Sequence, residues 1–196
     1  KQYKNNILIN LRYIAKLIQF FLINIKTNKF NINKYYKDYI KYHFKILKDI
    51  KHLNFKKNFV LSALNLAFLG SYMENKVKIY NNLIHWPDGV FIKNIDINIK
   101  KIPGRDILRK LRIPRKLKKI TVIGNLPKES KKYLILKYKK KINHINLPYG
   151  EISKLIKNFK HKIKRNELIL ITLPTPKQEQ LAEYLVSINN NFQIIC

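Results

Sequence analysis

The sequence predicts an α/β protein: a Rossmann-like parallel sheet with helices on both faces, preceded by an N-terminal helical extension. Short apolar runs alternate with longer amphipathic runs after about residue 57, as strands and helices do in such proteins. The whole chain has only 5 Gly and 7 Pro, so each of them marks a turn or a close backbone approach. Its 196 residues suffice for one core and an extension.

The predicted elements alternate along the chain. Strands are expected at residues 59–64, 78–83, 120–123, 142–147, 168–173 and 192–195. Helices are expected at about residues 65–75, 104–112, 128–140, 151–162 and 176–189. Because parallel sheets of this kind bind ligands at the carboxyl ends of their strands, functional residues are expected just after the strands.

Residues 1–56 are predicted to form a basic helical extension, and residues 57–196 the α/β domain. Apolar residues recur at helical spacing in the extension, and neither Gly nor Pro interrupts them. Two amphipathic helices follow from this pattern, of which the second runs from Tyr36 through Phe44 to Leu47. The pair either packs on the core as a hairpin or uses its Lys-rich faces to bind an anionic membrane surface or a partner.

The chain is strongly basic. It has 41 Lys and Arg against 11 Asp and Glu, a formal net charge of +30, which favours anions such as phosphates, nucleic acid or acidic lipids. The same excess also follows if an adenine- and thymine-rich genome enriches Lys at surface positions. The basic clusters at 116–119 and 137–141 lack a recognisable binding motif, so they favour solvated helix ends over a nucleic-acid surface.

Neither a zinc site, an internal disulfide nor a transmembrane helix is expected. The five histidines have no partners at metal-ligand spacing, and the single cysteine, Cys196, fits a reducing compartment. The longest apolar stretch, residues 14–25, is broken by polar residues and is shorter than the roughly 20 residues that span a bilayer.

Four segments after predicted strands combine a polar side chain with a turn former. They are Ser-Ala-Leu-Asn at 62–65, Trp-Pro-Asp-Gly at 86–89, Pro-Gly-Arg-Asp at 103–106 and Pro-Thr-Pro-Lys-Gln-Glu at 174–179. Pro and Gly beside Asp88 hold its carboxylate rigidly, as a general base requires, although this tripeptide is also a common turn. Gly104 at a helix start admits a phosphate to the backbone amides, or belongs to an ordinary cap. Gln178 can donate and accept hydrogen bonds, as recognition of a sugar hydroxyl or a uracil edge requires, although its segment also suits a plain strand-to-helix connection.

In this order and spacing, the four segments resemble the WecG/TagA/CpsF family of bacterial glycosyltransferases over roughly residues 58–196. The most specific element is the run Pro176, Lys177, Gln178 and Glu179, which matches the family's Pro-Lys-Gln-Glu motif after a buried strand. The resemblance implies an inverting transferase in cell-surface polysaccharide synthesis. Such an enzyme moves an N-acetylhexosamine-type sugar, similar to N-acetylmannosamine, from a UDP donor to a polyprenyl-diphosphate-linked acceptor.

Carried over by position, the resemblance gives individual residues their roles. Asp88 is the candidate catalytic base, which takes the proton from the acceptor hydroxyl as it attacks the anomeric carbon. Asn65 lines the same pocket, and Gln178 helps to hold the donor. Lys101 stands where the family commonly has Arg, which implies a contact with the diphosphate through a point charge. The remaining candidate substrate-binding residues are Gly89, Gly104, Arg105, Pro176, Lys177 and Glu179.

The resemblance also implies the partners and the location. The UDP-sugar is the donor substrate, no cofactor or metal takes part, and cationic side chains and helix N-termini stabilise the leaving UDP. We expect a cytoplasmic protein, peripheral at the inner face of the cell membrane, that binds the lipid-linked acceptor and an anionic membrane surface. Nucleic acid is not expected as a partner, and a homo-oligomer is compatible with the pattern.

Three positions depart from the family. Pro174 replaces a usual Gly, Ala63 replaces a polar residue, and the sequence stops at Cys196, before the family's Gly-containing segment and basic C-terminal tail. The tail is therefore truncated, replaced by a basic element elsewhere, or missing from a weak catalyst. Two other functions stay open: a basic nucleic-acid-binding α/β module, and a non-catalytic scaffold relative of the family.

Overall fold

The structure is a computed structural model that describes residues 39–89, 99–147, 150–159, 163–164 and 166–196. The chain divides into two units between His43 and Phe44, whereas the sequence analysis placed the boundary between residues 56 and 57. In the first unit, residues 39–43 are helical. The first predicted helix lies outside the described residues.

The second unit, Phe44–Cys196, alternates strands and helices. Its strands are β1 (Phe59–Leu64), β2 (Leu83–Pro87), β3 (Lys119–Gly124), β4 (Lys141–Ile145), β5 (Glu167–Thr172) and β6 (Gln193–Ile195). Its α-helices are α1 (Leu66–Met73), α2 (Gly104–Lys110), α3 (Lys128–Tyr138), α4 (Ile152–Asn158) and α5 (Lys177–Ser187), and a 3-10 helix covers Ile50–His52. None of the helices in the described ranges is long and apolar enough to cross a membrane.

The six strands form one sheet in the order β2-β1-β6-β5-β3-β4. Every neighbouring pair is parallel, so all the carboxyl ends lie on one edge. The last strand, β6, lies in the middle of the sheet between β1 and β5. The predicted fold class, an α/β protein with a Rossmann-like parallel sheet, is therefore confirmed.

Alternate residues of a strand point to opposite faces of the sheet. Helices pack on both of these faces. On one face, Leu61 of β1 and Val122 of β3 pack in a cluster with Ile107 of α2. On the other face, the ring of His85 in β2 meets the ring of Phe68 in α1, with centroids 4.5 Å apart. A strand that is buried on both faces needs apolar residues throughout, which explains the continuous apolar run in β1 and β5.

The second strand lies further along the chain than the sequence predicted. The prediction placed it at residues 78–83, whereas β2 runs from Leu83 to Pro87. The amide of Leu83 donates to Tyr80 O at 3.0 Å across a turn, so the chain turns at residues 80–83, where the prediction placed the end of the strand. The strand was missed because Pro87 is rare inside strands and is tolerated here only as the last residue at the margin of the sheet.

The second predicted N-terminal helix ends at residue 43 and does not reach Leu47. From Phe44 onward the chain runs beside β2: Leu47 N donates to His85 O at 2.7 Å, and His85 N donates to Lys45 O at 2.8 Å. The pairing satisfies backbone groups that a sheet margin would otherwise leave without partners. Phe44 and Leu47 are buried. Their spacing therefore predicted correctly that both residues face the core, but the helix that it predicted for them is wrong.

Candidate functional site

The predicted site residues lie at the carboxyl edge of the sheet. Asn65 follows β1, Asp88 follows β2, and the segment from Pro176 to Glu179 leads from β5 into α5. The segment before α2 reaches the same edge, because Ile102 N donates to Pro87 O at 2.7 Å. The structure thus places these predicted residues at one edge of the sheet.

Asp88 is fixed at the end of β2 by backbone contacts. Its amide donates to Leu64 O at 3.2 Å, which ties it to the end of β1. Its Oδ1 accepts the N–H of Gly89 at 2.8 Å, and Gly89 has a φ of 81°, which glycine adopts without steric cost. The carboxylate is half-buried, and Oδ2 has no hydrogen-bond partner in the part of the chain that the structure describes. One oxygen of a rigid carboxylate is thus free to accept a proton.

Asn65 lies beside this carboxylate segment. It caps α1, with its Oδ1 accepting Phe68 N at 2.9 Å, a role that Asn commonly has at helix starts. A Cβ built on Gly89 would lie 3.8 Å from the Cβ of Asn65. The structure therefore brings Asn65 and the Asp88–Gly89 turn together.

Basic residues border the start of α2. Lys101 and Arg105 are exposed on either side of Gly104, the first residue of the helix. A Cβ built on Gly104 would have no atom within 4 Å, so this backbone faces open space. Two cations beside exposed backbone amides suit a phosphate group.

A cavity of about 630 Å³ lies between α2, α3 and the carboxyl ends of the strands. Its volume falls within the range of about 300–1,000 Å³ that is typical of small-molecule sites. Its apolar wall includes Val122, Leu170 and Ile195 of β3, β5 and β6. Trp86, two residues before Asp88, also lines it. The polar groups along it come from Asn125, Ser130, Glu129 and Thr172.

The cavity lies at the point where the connections of the sheet diverge. β3 and β5 are neighbours in the sheet. The connection after β3 leads to β4 at one margin, whereas the connection after β5 leads in the opposite direction, to β6. Ligands of open α/β sheets bind at such a switch point. Of the predicted site residues, Gly104 lines the cavity, whereas Asp88, Asn65 and Gln178 lie outside its lining. The other cavity residues were missed by sequence reasoning.

The Pro-Lys-Gln-Glu segment is held by internal hydrogen bonds. Lys177 Nζ donates to Gly150 O at 2.7 Å, in the segment before α4. Glu179 is 3% exposed, and its Oε1 accepts the hydroxyl of Ser62 on β1 at 2.8 Å. The side chains of Lys177 and Glu179 thus bond to the protein itself. Gln178, half-buried in the first turn of α5, also donates its Nε2 to Thr175 Oγ1 and Glu179 Oε1.

Two other titratable groups near this edge are held neutral. Burial raises the pKa of the Cys196 thiol, and the nearby Glu179 carboxylate adds to the shift. Burial lowers the pKa of His85 to about 3. Neither residue is therefore suited to exchange protons at neutral pH.

No group of three His, Cys, Asp or Glu residues within the described ranges could hold a metal ion. Comparison with protein-family models gave no match to this chain. Comparisons with curated proteins and with solved structures likewise found no match.

Proposed function

We propose that the protein is an inverting glycosyltransferase. It moves an N-acetylhexosamine-type sugar from a UDP donor to a polyprenyl-diphosphate-linked acceptor, as a peripheral protein at the cytoplasmic face of the cell membrane. One observation carries the proposal: the half-buried carboxylate of Asp88 is fixed beside Asn65, on the same sheet edge as a ligand-sized cavity. The Pro-Lys-Gln-Glu motif at the start of α5 supports it.

Asp88 acts as the general base. Its free Oδ2 takes the proton from the acceptor hydroxyl, and the resulting oxygen attacks the anomeric carbon from the side opposite the UDP. The bond between this carbon and the diphosphate oxygen breaks in the same displacement, so the configuration inverts. A rigidly placed base contributes typically 10²- to 10⁴-fold to the rate of such a step.

The cavity takes the donor nucleotide. Its apolar wall accommodates the base, and its open side at Gly104 admits the diphosphate to the exposed backbone. Lys101 and Arg105 stabilise the charge that develops on the leaving UDP, which is where electrostatic catalysis acts. The lining residue Trp86 is two positions from Asp88, which supports a donor bound next to the base at the end of β2.

Binding of UDP tests the nucleotide site. A UDP-sugar at 100 times its dissociation constant should stabilise the folded protein by about 2.7 kcal/mol. We expect Asp88→Asn to abolish sugar transfer and to keep this stabilisation. Asp106→Asn is the matched control, because Asp106 lies on α2 of the same edge and pairs at 3.9 Å with Arg109. Unchanged turnover in Asp88→Asn would remove the residue from the mechanism.

A second candidate function is nucleic-acid binding, which a basic cavity favours. This cavity of about 620 Å³ is lined by Lys51, Lys56, Arg112 and Lys116 among other residues. Oligonucleotide affinity that falls steeply with salt, depends on these residues and ignores Asp88 would support it. Stabilisation by oligonucleotide with none by UDP or UDP-sugars would replace the glycosyltransferase proposal with this one.

A further inference from the structure

Three donors converge on one oxygen of a buried carboxylate at the start of α5. Glu179 Oε1 accepts hydrogen bonds from Ser62 Oγ at 2.8 Å, Gln178 Nε2 at 2.8 Å and Thr175 Oγ1 at 3.3 Å. Ser62 is 0% exposed and belongs to β1, so the carboxylate is anchored to the sheet as well as to its own helix. We call these four residues the Glu179 cluster.

The cluster determines which end of the Gln178 amide faces outward. Glu179 Oε1 already accepts the hydroxyl proton of Ser62, so the amide group opposite it has to be the N–H donor. Thr175 Oγ1 donates its proton to the same carboxylate and lies 3.1 Å from Gln178 Nε2. Its lone pair therefore accepts a second N–H from the Gln178 amide, which again requires the nitrogen to face the cluster. A reversed amide would oppose two acceptor oxygens with no proton between them. The carbonyl oxygen of Gln178 is therefore the end that points away from the cluster.

We propose that Glu179 is a positioning residue, which holds Gln178 so that its outward carbonyl oxygen reads an N–H donor on the UDP-sugar. Because Gln178 lies outside the lining of the cavity that takes the nucleobase, the group that it reads is the amide N–H of an N-acetyl group on the sugar. N3–H of uracil is the alternative that the titrations below separate. The inference rests on the proposed function. A free glutamine side chain can both donate and accept hydrogen bonds, whereas Gln178 held in this way can only accept one from the ligand.

The second oxygen of the carboxylate provides a matched pair of variants. Glu179 Oε2 is buried and has no hydrogen-bond partner among the described residues. In Glu179→Gln, the new amide can place its oxygen at the Oε1 position and its nitrogen at the Oε2 position, so the acceptor of the cluster is kept. Glu179→Leu has a similar size and removes the acceptor. The two variants differ in the chemistry of the cluster and hardly in its volume.

Side-chain amide signals in NMR spectra test the orientation without any ligand. The Gln178 pair is assigned as the one that disappears in Gln178→Glu. We expect its protons to exchange slowly with solvent in the wild type and in Glu179→Gln, and to exchange at the rate of an exposed amide in Glu179→Leu. Fast exchange in the wild type would overturn the proposed orientation. If Glu179→Leu does not fold, Ser62→Ala/Glu179→Leu replaces it, because that pair leaves no buried hydroxyl without an acceptor.

Calorimetric titration tests what the oxygen reads. We expect Glu179→Leu to weaken binding of UDP-N-acetylglucosamine about tenfold and Glu179→Gln to restore it, a change of about 1.4 kcal/mol. Comparing UDP with N3-methyl-UDP isolates the uracil N–H, and comparing UDP-N-acetylglucosamine with UDP-glucose isolates the acetamido N–H. The effect of Glu179→Leu should vanish for whichever probe lacks the group that is read.

Two results would overturn the positioning role. One is an equal loss of affinity for all four probes in Glu179→Leu, and the other is a Glu179→Gln protein that binds as weakly as Glu179→Leu. If no UDP compound binds the wild type, the proposed function fails and the reading of an N–H donor fails with it. The amide signals of Gln178 still decide the orientation in that case.

Discussion

Gly124, the last residue of β3, should not tolerate a side chain. Its φ is 112°, and a conformation of this kind costs an L-residue about 1–3 kcal/mol. A Cβ there would lie 2.8 Å from Thr172 Oγ1 and 2.9 Å from Thr172 O. The carbonyl belongs to the backbone of β5 and cannot rotate away, so the overlap adds about 1–3 kcal/mol. Together the two costs should lower the free energy of unfolding of Gly124→Ala by about 2–6 kcal/mol.

Urea and thermal unfolding, followed by circular dichroism, measure this loss. For a chain of this size it corresponds to a fall in Tm of roughly 4–24 °C. Gly104→Ala is the control: a Cβ there has no atom within 4 Å, and Ala favours a helix over Gly by up to about 1 kcal/mol, so stability should hold or rise. Gly124→Ala within about 0.5 kcal/mol of the wild type would refute the close approach of β3 and β5.

Substitutions at two further positions test the interior and the start of α2. His85 has a pKa lowered to about 3 by burial and protonates near pH 6.5 when unfolded, so it removes stability as pH falls below about 6.5, by up to about 1.4 kcal/mol per pH unit. His85→Phe should abolish this slope in urea unfolding between pH 7 and 5, and parallel pH profiles of the two proteins would contradict it. Lys101→Ala should weaken UDP binding roughly two- to fivefold, and Lys101→Arg should preserve or improve it, because guanidinium binds phosphate oxygens in pairs. If calorimetry gave the wild type and Lys101→Ala equal affinities for UDP, Lys101 would not contact the diphosphate.

Most of the fold could be predicted from the sequence, because burial on both faces imposes apolar runs that turn residues separate. β1 occupies the predicted residues 59–64. The errors arose where one local pattern of apolar residues is compatible with two kinds of secondary structure. Phe44 and Leu47 suit one face of a helix, yet they are buried in a segment that runs beside β2. Nothing in the local sequence records that a neighbouring strand needs a partner.

The candidate site was less accessible to sequence reasoning than the fold. Turn formers after strands marked Asp88 and Gln178, because proline and glycine restrict the backbone in a way that a sequence displays. The burial of Glu179 depends on Ser62, a residue 117 positions earlier in the chain, and no local pattern encodes that contact. The cavity was not predicted either, since the apolar residues of a sheet face look alike whether a helix or an open space lies above them.

The central place of β6 has a consequence for how the protein is made. β2 and β1 on one side and β5, β3 and β4 on the other have no direct pairing, and Gln193–Ile195 joins the two groups. During synthesis the sheet therefore stays in two halves until these residues leave the ribosome. Each half then exposes strand edges that can pair with other chains, so the nascent protein should depend on chaperones until its last strand inserts.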